Sequence, residues 1–332
     1  MSFINTFQYN KPVQSFVLKT SLNASQNQAF NSTANVFYTA TGASGTDPIS
    51  IVDANTLQVI GTFLTGSNRT RGIIYNPYNN RIYVQSSPLP STLTTTLIYD
   101  CSTLQQVGTI PSDGVNVRYR GLVTPDYTFI PYGTAGSGQR FSGGFYKINN
   151  VTGVINKIGH GGGWGQTCAW DSSRNRLWIP CQSTTYNYLL IYDLNTNTTI
   201  FQSTNEGKVN PPFYGFPMSV NAYDAINDVV YMIEEYAGMI YKLNAATGAR
   251  ISSGSMGSTT SAGYAIGFND DRTEIYSTSA TKFHVWDAST LTEKYNIPIG
   301  VVNGPASVMK RNDGSFVFIN GNGLLDRKST RL

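Results

Sequence analysis

Residues 71–110 read RGIIYNPYNNRIYVQSSPLPSTLTTTLIYDCSTLQQVGTI, and four short strands separated by polar turns can be taken directly from them. The strands are GIIY (72–75), RIYVQ (81–85), TLIYD (96–100) and LQQVGTI (104–110), rich in the β-branched and aromatic residues that suit a pleated surface. Between the first two lies NPYNN, where Pro77 lacks the N–H that a continuing ladder needs. Outward from this stretch the second strand recurs as NVFYT (35–39), TFIPY (128–132), RLWIP (176–180), VVYMI (229–233), EIYST (274–278) and SFVFI (315–319). The central aromatics are Phe37, Tyr83, Phe129, Trp178, Tyr231, Tyr276 and Phe318, spaced 46, 46, 49, 53, 45 and 42 residues apart.

The third strand ends in Asp53, Asp100, Asn149, Asp193, Asn244 or Asp287, each followed three residues on by Thr56, Thr103, Thr152, Thr196, Thr247 or Thr290. Asp and Asn can bond the backbone two residues ahead, so these side chains are expected to close turns and not to serve as acids. A glycine opens the first strand in six copies, at Gly72, Gly121, Gly165, Gly215, Gly263 and Gly304, where inner strands crowd and a Cβ is unwelcome. The recurring aromatics are expected to form core between neighbouring repeats.

A period of this size is that of one four-stranded propeller blade. The expected fold is all-β, a seven-bladed β-propeller of four-stranded antiparallel blades starting near residues 26, 71, 120, 164, 215, 263 and 305. The last copy, PASVMKRNDGSFVFINGNG, shows only two strands before Leu325. At the other end Tyr9-Asn10 matches Tyr99-Asp100, so residues 4–18 are expected to complete the seventh blade and close the ring. Residues 1–325 then form one domain, while 326–332 (DRKSTRL) resemble a translated sequencing adapter. Without that tail the chain has 20 basic and 18 acidic residues, a net charge of +2 that gives no argument for nucleic acid. Charged residues are only 13% of the chain, and almost no helix is expected.

The N-terminus has neither the basic nor the apolar region of a secretory signal, and no stretch reaches the length of a membrane span. Cytoplasmic and virion- or surface-associated locations both remain open. Cys101, Cys168 and Cys181 are odd in number with no CxxC pair, so free thiols are expected.

The order of inner strand, polar turn, IYV-like strand, IYD strand and TLQVIGTI-like strand resembles the YVTN-repeat propellers and, more distantly, the NHL and WD-repeat families. The resemblance runs from about Asn23 to Asn320; RIYVQ is the nearest approach to YVTN, and Trp286-Asp287 imitates half of a WD-repeat signature once. It implies the fold and says little of function.

Nothing in the sequence amounts to a catalytic signature. His284 sits in KFHVWD, where packing or surface is expected, and His160 sits in IGHGGGWG, an inter-blade loop with no G-x-S-x-G elbow to accompany it. No zinc spacing occurs. Glu234 and Glu235 are candidates for ligands of a divalent metal in the central channel; otherwise no cofactor is expected. Residues flanking the first-strand glycines, Arg71, Arg120, Trp164, Tyr214 and Tyr264, are candidates for a binding surface at the channel mouth. The expected function is non-enzymatic capture of a protein or glycan there. The alternatives are a lactonase-like hydrolase or quinoprotein-like oxidoreductase at the same channel, and a structural module of a phage or cell-surface assembly. Five N-x-[ST] sequons begin at Asn23, Asn31, Asn68, Asn150 and Asn197 and matter only in a eukaryotic secretory pathway.

Overall fold

The computed structural model describes residues 16–20, 27–40, 48–63, 70–86, 95–111, 121–134, 142–159, 164–165, 167–182, 187–202, 218–234, 238–257, 266–279, 281–298, 307–312, 316–320 and 323–327. Among them every regular element is a strand, and the strands assort into seven antiparallel sheets.

Sheet I contains β2 (Asn27–Asn31), β3 (Val36–Ala40), β4 (Ile49–Asp53) and β5 (Val59–Phe63); sheet II contains β6 (Thr70–Asn76), β7 (Arg81–Ser86), β8 (Thr95–Asp100) and β9 (Gln106–Ile110). Sheet III has β10 (Leu122–Val123), β11 (Tyr127–Thr134), β12 (Ser142–Asn149) and β13 (Ile155–Gly159). In sheet IV the inner position is shared by β14 (Trp164–Gly165) and β15 (Ala169–Asp171), beside β16 (Arg176–Gln182), β17 (Asn187–Asp193) and β18 (Thr198–Gln202). Sheet V has β19 (Met218–Asp224), β20 (Val229–Glu234), β21 (Met239–Asn244) and β22 (Arg250–Ser255), and sheet VI has β23 (Ile266–Phe268), β24 (Glu274–Thr278), β25 (Lys282–Asp287) and β26 (Glu293–Pro298).

Sheet VII joins the two ends of the chain: β27 (Ser307–Lys310), β28 (Phe316–Asn320) and β29 (Gly323–Arg327) are followed by β1 (Phe16–Thr20), with Val17 opposite Asp326 and Leu18 opposite Leu325. This corrects one expectation. The N-terminus supplies one outer strand, and the third strand comes from the C-terminal segment, because the chain reverses immediately after Asn320, pairing it with Gly323. Asp326 and Arg327, the first residues of the adapter-like segment, are part of β29, and residues 4–15 lie outside the described ones.

The sheets approach one another in cyclic order through their inner strands, β2 to β6, β6 to β10, β11 to β14, β15 to β19, β19 to β23, and β23 to β27, which returns to β2. The result is a propeller of four-stranded antiparallel blades.

Both faces of a sheet are apolar. One face of sheet II sends Ile73, Tyr75, Ile82, Val84 and Tyr99 against Ala29, Tyr38 and Phe63 of sheet I, while Ile74 and Tyr83 turn the other way onto Ile130, Tyr132 and Tyr146 of sheet III. Phe37, Tyr83, Phe129, Trp178, Tyr231 and Tyr276 are all buried, as their recurrence implied. Gly121 illustrates the crowding of inner strands: a Cβ there would stand 2.7 Å from the carbonyl oxygen of Phe129.

With the strands of a sheet lettered A to D from the innermost outward, the C-to-D turn is closed as expected in sheets I to VI. Asp53 Oδ1 accepts from Asn55 N at 3.0 Å and Thr56 N at 2.7 Å, and the same pair of bonds recurs at Asp100, Asn149, Asp193, Asn244 and Asp287. The Ser289 hydroxyl and turn N–H groups hold the Asp287 carboxyl down to about 2. These are structural carboxylates. A second set, not singled out in the sequence, ends the inner strands: Asn31, Asn76, Asp171 and Asp224 are buried and accept from the A-to-B turn backbone.

Since β1 covers the outer edge of sheet VII, deleting residues 1–20 should replace one cooperative thermal transition with an aggregation-prone species. Calorimetry and size-exclusion chromatography check this; an unchanged melt would contradict the closure.

Candidate functional site

Alternating strand direction divides the molecule into two ends. A-to-B and C-to-D turns lie at one, and B-to-C and D-to-A connections at the other.

The turn end is stitched by polar bonds from sheet to sheet. Asn76 Nδ2 donates to Thr128 Oγ1 at 2.7 Å and Asn150 Oδ1 at 2.8 Å, joining sheets II and III. Arg174 forks between sheets IV and V: Nη1 and Nη2 donate to the two oxygens of Asp228 at 2.7 and 2.6 Å, while Nη1 also reaches Asp171 Oδ2 at 3.1 Å. The Tyr223 hydroxyl lies 3.0 Å from Ser173 Oγ and 3.1 Å from Asp228 Oδ1. The Arg174 guanidinium holds the Asp228 carboxyl below the usual carboxylate range. Between sheets V and VI, Tyr231 OH and Lys242 Nζ both donate to the Ala288 carbonyl at 2.9 Å. Arg311 Nη1 donates to Ala54 O at 2.9 Å and Asn312 Nδ2 to Ser32 O at 2.7 Å, joining sheets VII and I. These charged and amide groups are taken up by contacts between sheets, while Asn35 Oδ1, Asn79 Oδ1 and Arg176 Nε at the same end are buried without a hydrogen-bond partner among the described residues.

At the opposite end, Arg71 and Trp164 occupy the beginnings of β6 and β14, and Glu234 the end of β20 opposite Met218. Topology therefore brings these three expected positions to the same rim. Arg120, Tyr214, Tyr264, Glu235 and His160 lie outside the described residues. Arg71 is the extra residue of a bulge: Thr70 faces Ser86 and Gly72 faces Gln85. Beside it, the Ser86 Oγ and Gln85 Oε1 atoms are buried without a hydrogen-bond partner among the described residues, as are both amide atoms of Gln28 near the start of β2. Among the described residues no three His, Cys, Asp or Glu side chains gather as a metal site.

One arrangement was not legible in the sequence. His284 Nδ1 lies 3.0 Å from Glu293 Oε1 and Nε2 lies 2.8 Å from Ser279 Oγ, an acid–imidazole–hydroxyl order like that of hydrolytic triads. Here it is a brace. Ser279 and His284 are each only 1% exposed, and the imidazole stacks on Trp286 at 5.6 Å, whose indole N–H donates to Ser277 Oγ at 2.8 Å. The alternation of KFHVWD, with Glu293 at the start of the next strand, was the available signal. Cys101, Cys168 and Cys181 form no disulfide among the described residues, and burial pushes the Cys101 and Cys168 thiols up to about 12.

No protein-family model matches the sequence, and no curated protein matches it. The fold is similar to that of a chain in "Crystal Structure of Mitotic Checkpoint Complex", with a TM-score of 0.68 and 16% identity over 99% of this chain and 98% of that one. At that identity the likeness is one of fold.

Two outcomes are expected. Arg174→Ala leaves the buried Asp171 and its neighbour Asp228 without their cation and should cost about 2 kcal/mol in chemical denaturation, with Asp228→Asn costing less. Burial lowers His284 from its usual 6.5 more than Glu293 raises it, so the unfolded chain takes up the proton first as pH falls. Stability from this site is complete above 6.5 and declines below it, before the carboxylates titrate; His284→Gln should flatten melting temperature against pH in that window.

Proposed function

We propose that the chain is a non-enzymatic binding propeller, each of its seven sheets one blade, that takes a protein or glycan ligand at the loop end. The observation that carries this reading is the asymmetry between the ends. At the turn end Asn76, Arg174 and Lys242 bond from sheet to sheet and only single turn atoms such as Asn35 Oδ1 and Asn79 Oδ1 lack a partner among the described residues, whereas the rim around Arg71 has Gln85 Oε1 and Ser86 Oγ buried without partners in consecutive residues, beside a bulge that re-aims the chain. Such groups gain when a ligand supplies their missing partners. The WD40-like fold supports a binding role for the same reason that rigid scaffolds carrying variable loops suit recognition.

In this reading Arg71 and Arg120 provide charge-assisted donors, and Trp164, Tyr214 and Tyr264 provide flat apolar surface, a combination that serves both peptide and sugar faces. No cofactor takes part. Glu234 and Glu235 contribute acceptors to the rim.

Arg71→Ala combined with Arg120→Ala should abolish capture of ligand by the purified protein, read by glycan array and peptide-display binding, while the melting temperature holds. Capture that survives the double change would remove the site from this rim; turnover of a lactone panel by the unaltered chain would overturn the non-enzymatic reading.

A further inference from the structure

Three of the five sequons, those at Asn31, Asn150 and Asn197, fall on described residues, and the fold treats them differently. N-glycosylation forms a bond from Asn Nδ2 to C1 of a sugar as the C1–O bond to a lipid-linked pyrophosphate breaks; the nitrogen loses one proton and gains a bulky polar group. The product therefore keeps one N–H and needs open space beyond the amide.

Asn150 has neither to spare. It is 5% exposed, and its Nδ2 donates to Thr124 O at 2.8 Å and Pro125 O at 2.9 Å, while its Oδ1 accepts from Asn76 Nδ2 at 2.8 Å and Thr128 Oγ1 at 2.9 Å. A sugar at this nitrogen would take the place of the carbonyls that hold it and pull apart the junction of sheets II and III. Asn31 is 2% exposed; its Nδ2 donates to Tyr38 OH at 3.1 Å, and its Oδ1 closes the turn by accepting from Ala34 N at 2.9 Å. Asn197 is the contrast. It is exposed in the C-to-D turn of sheet IV, and its Oδ1, not the Nδ2 that would carry a sugar, makes the bond to Lys147 Nζ at 3.2 Å.

Burial does not protect a sequon in a secretory compartment, because transfer occurs on the emerging chain before its turns close. We infer that this protein folds by a route that avoids N-glycosylation: Asn31 and Asn150 must reach the folded state unmodified, and of the described sequons only Asn197 tolerates a glycan. The constraint lies in the inner-strand amides and is independent of what the propeller binds.

The test places the full chain behind a secretory signal in mammalian cells, with and without an oligosaccharyltransferase inhibitor, beside a variant carrying Thr33→Ala and Thr152→Ala. Those changes remove both sequons and keep both asparagines. The unaltered chain should be retained or aggregated with glycan mapped to Asn31 or Asn150, and both the inhibitor and the double variant should raise secreted monomer by about fivefold or more. Site mapping on the secreted variant should find Asn197 occupied. The inhibitor arm uses the unaltered sequence, so a folding defect in the variant does not mask the result. Secreted monomer carrying glycan at Asn31 or Asn150 with an unchanged melt, or equal secretion with and without inhibitor, would overturn the inference.

Discussion

Among the described residues sheets II, III, IV and V are each apolar on both faces, and that constraint decides the architecture. A two-sided apolar sheet cannot be exposed on either side, so each needs a neighbour in front and behind, and the arrangement that satisfies all of them is a closed cycle. Tyr83 and Tyr75 show the principle within one blade: they leave adjacent strands of sheet II in opposite directions and are buried in different clusters. Individual residues then matter less as contacts than as spacers that keep neighbouring sheets at one distance around the ring.

The polar residues follow from that packing. Bringing sheets together buries the ends of the inner strands, so the turn there must satisfy its own backbone, and Asn31, Asn76, Asp171 and Asp224 do so from the strand side. Left-handed residues such as Asn35, Asn80, Asn175 and Asp228 then return the chain. The outer turns use the same chemistry with Asp or Asn and Thr, and left-handed Leu57, Leu104 and Leu291 bear the strain.

The strands, the buried aromatics and the outer Asp/Asn–Thr turns were legible in the sequence because they recur with a fixed offset. The inner amide set recurs as well, in FNSTAN, YNPYNN, WDSSRN and YDAIND, yet its letters change between Asn and Asp and its middle between Pro, Ser and Ala. Reading it required knowing that the first position is buried and the last is left-handed. The closure was half legible: an outer strand from the N-terminus and the first two strands of the last copy were visible, but the third strand of sheet VII was hidden by the lack of an IYD-like run in GLLDR. Residues of the rim are harder still, because what binds is what fails to repeat, and Arg71 or Trp164 has no second copy against which to check its role. His284 was obscured for a different reason, since Ser279 and Glu293 come from two separate strand ends.

The pairing of β1 with β29 also sets an order of events during synthesis. Phe16 and Arg327 are register partners 311 residues apart in sequence, so β1 must wait for β29. At a bacterial or eukaryotic elongation rate that interval is roughly 15–60 s, long compared with the folding of a single hairpin. Six sheets can form from local segments in that time, each leaving one apolar face uncovered until its successor emerges. Chaperone demand should therefore be greatest just before β29 emerges, when a nearly complete ring still lacks its seventh member, and should end abruptly when β29 meets β1.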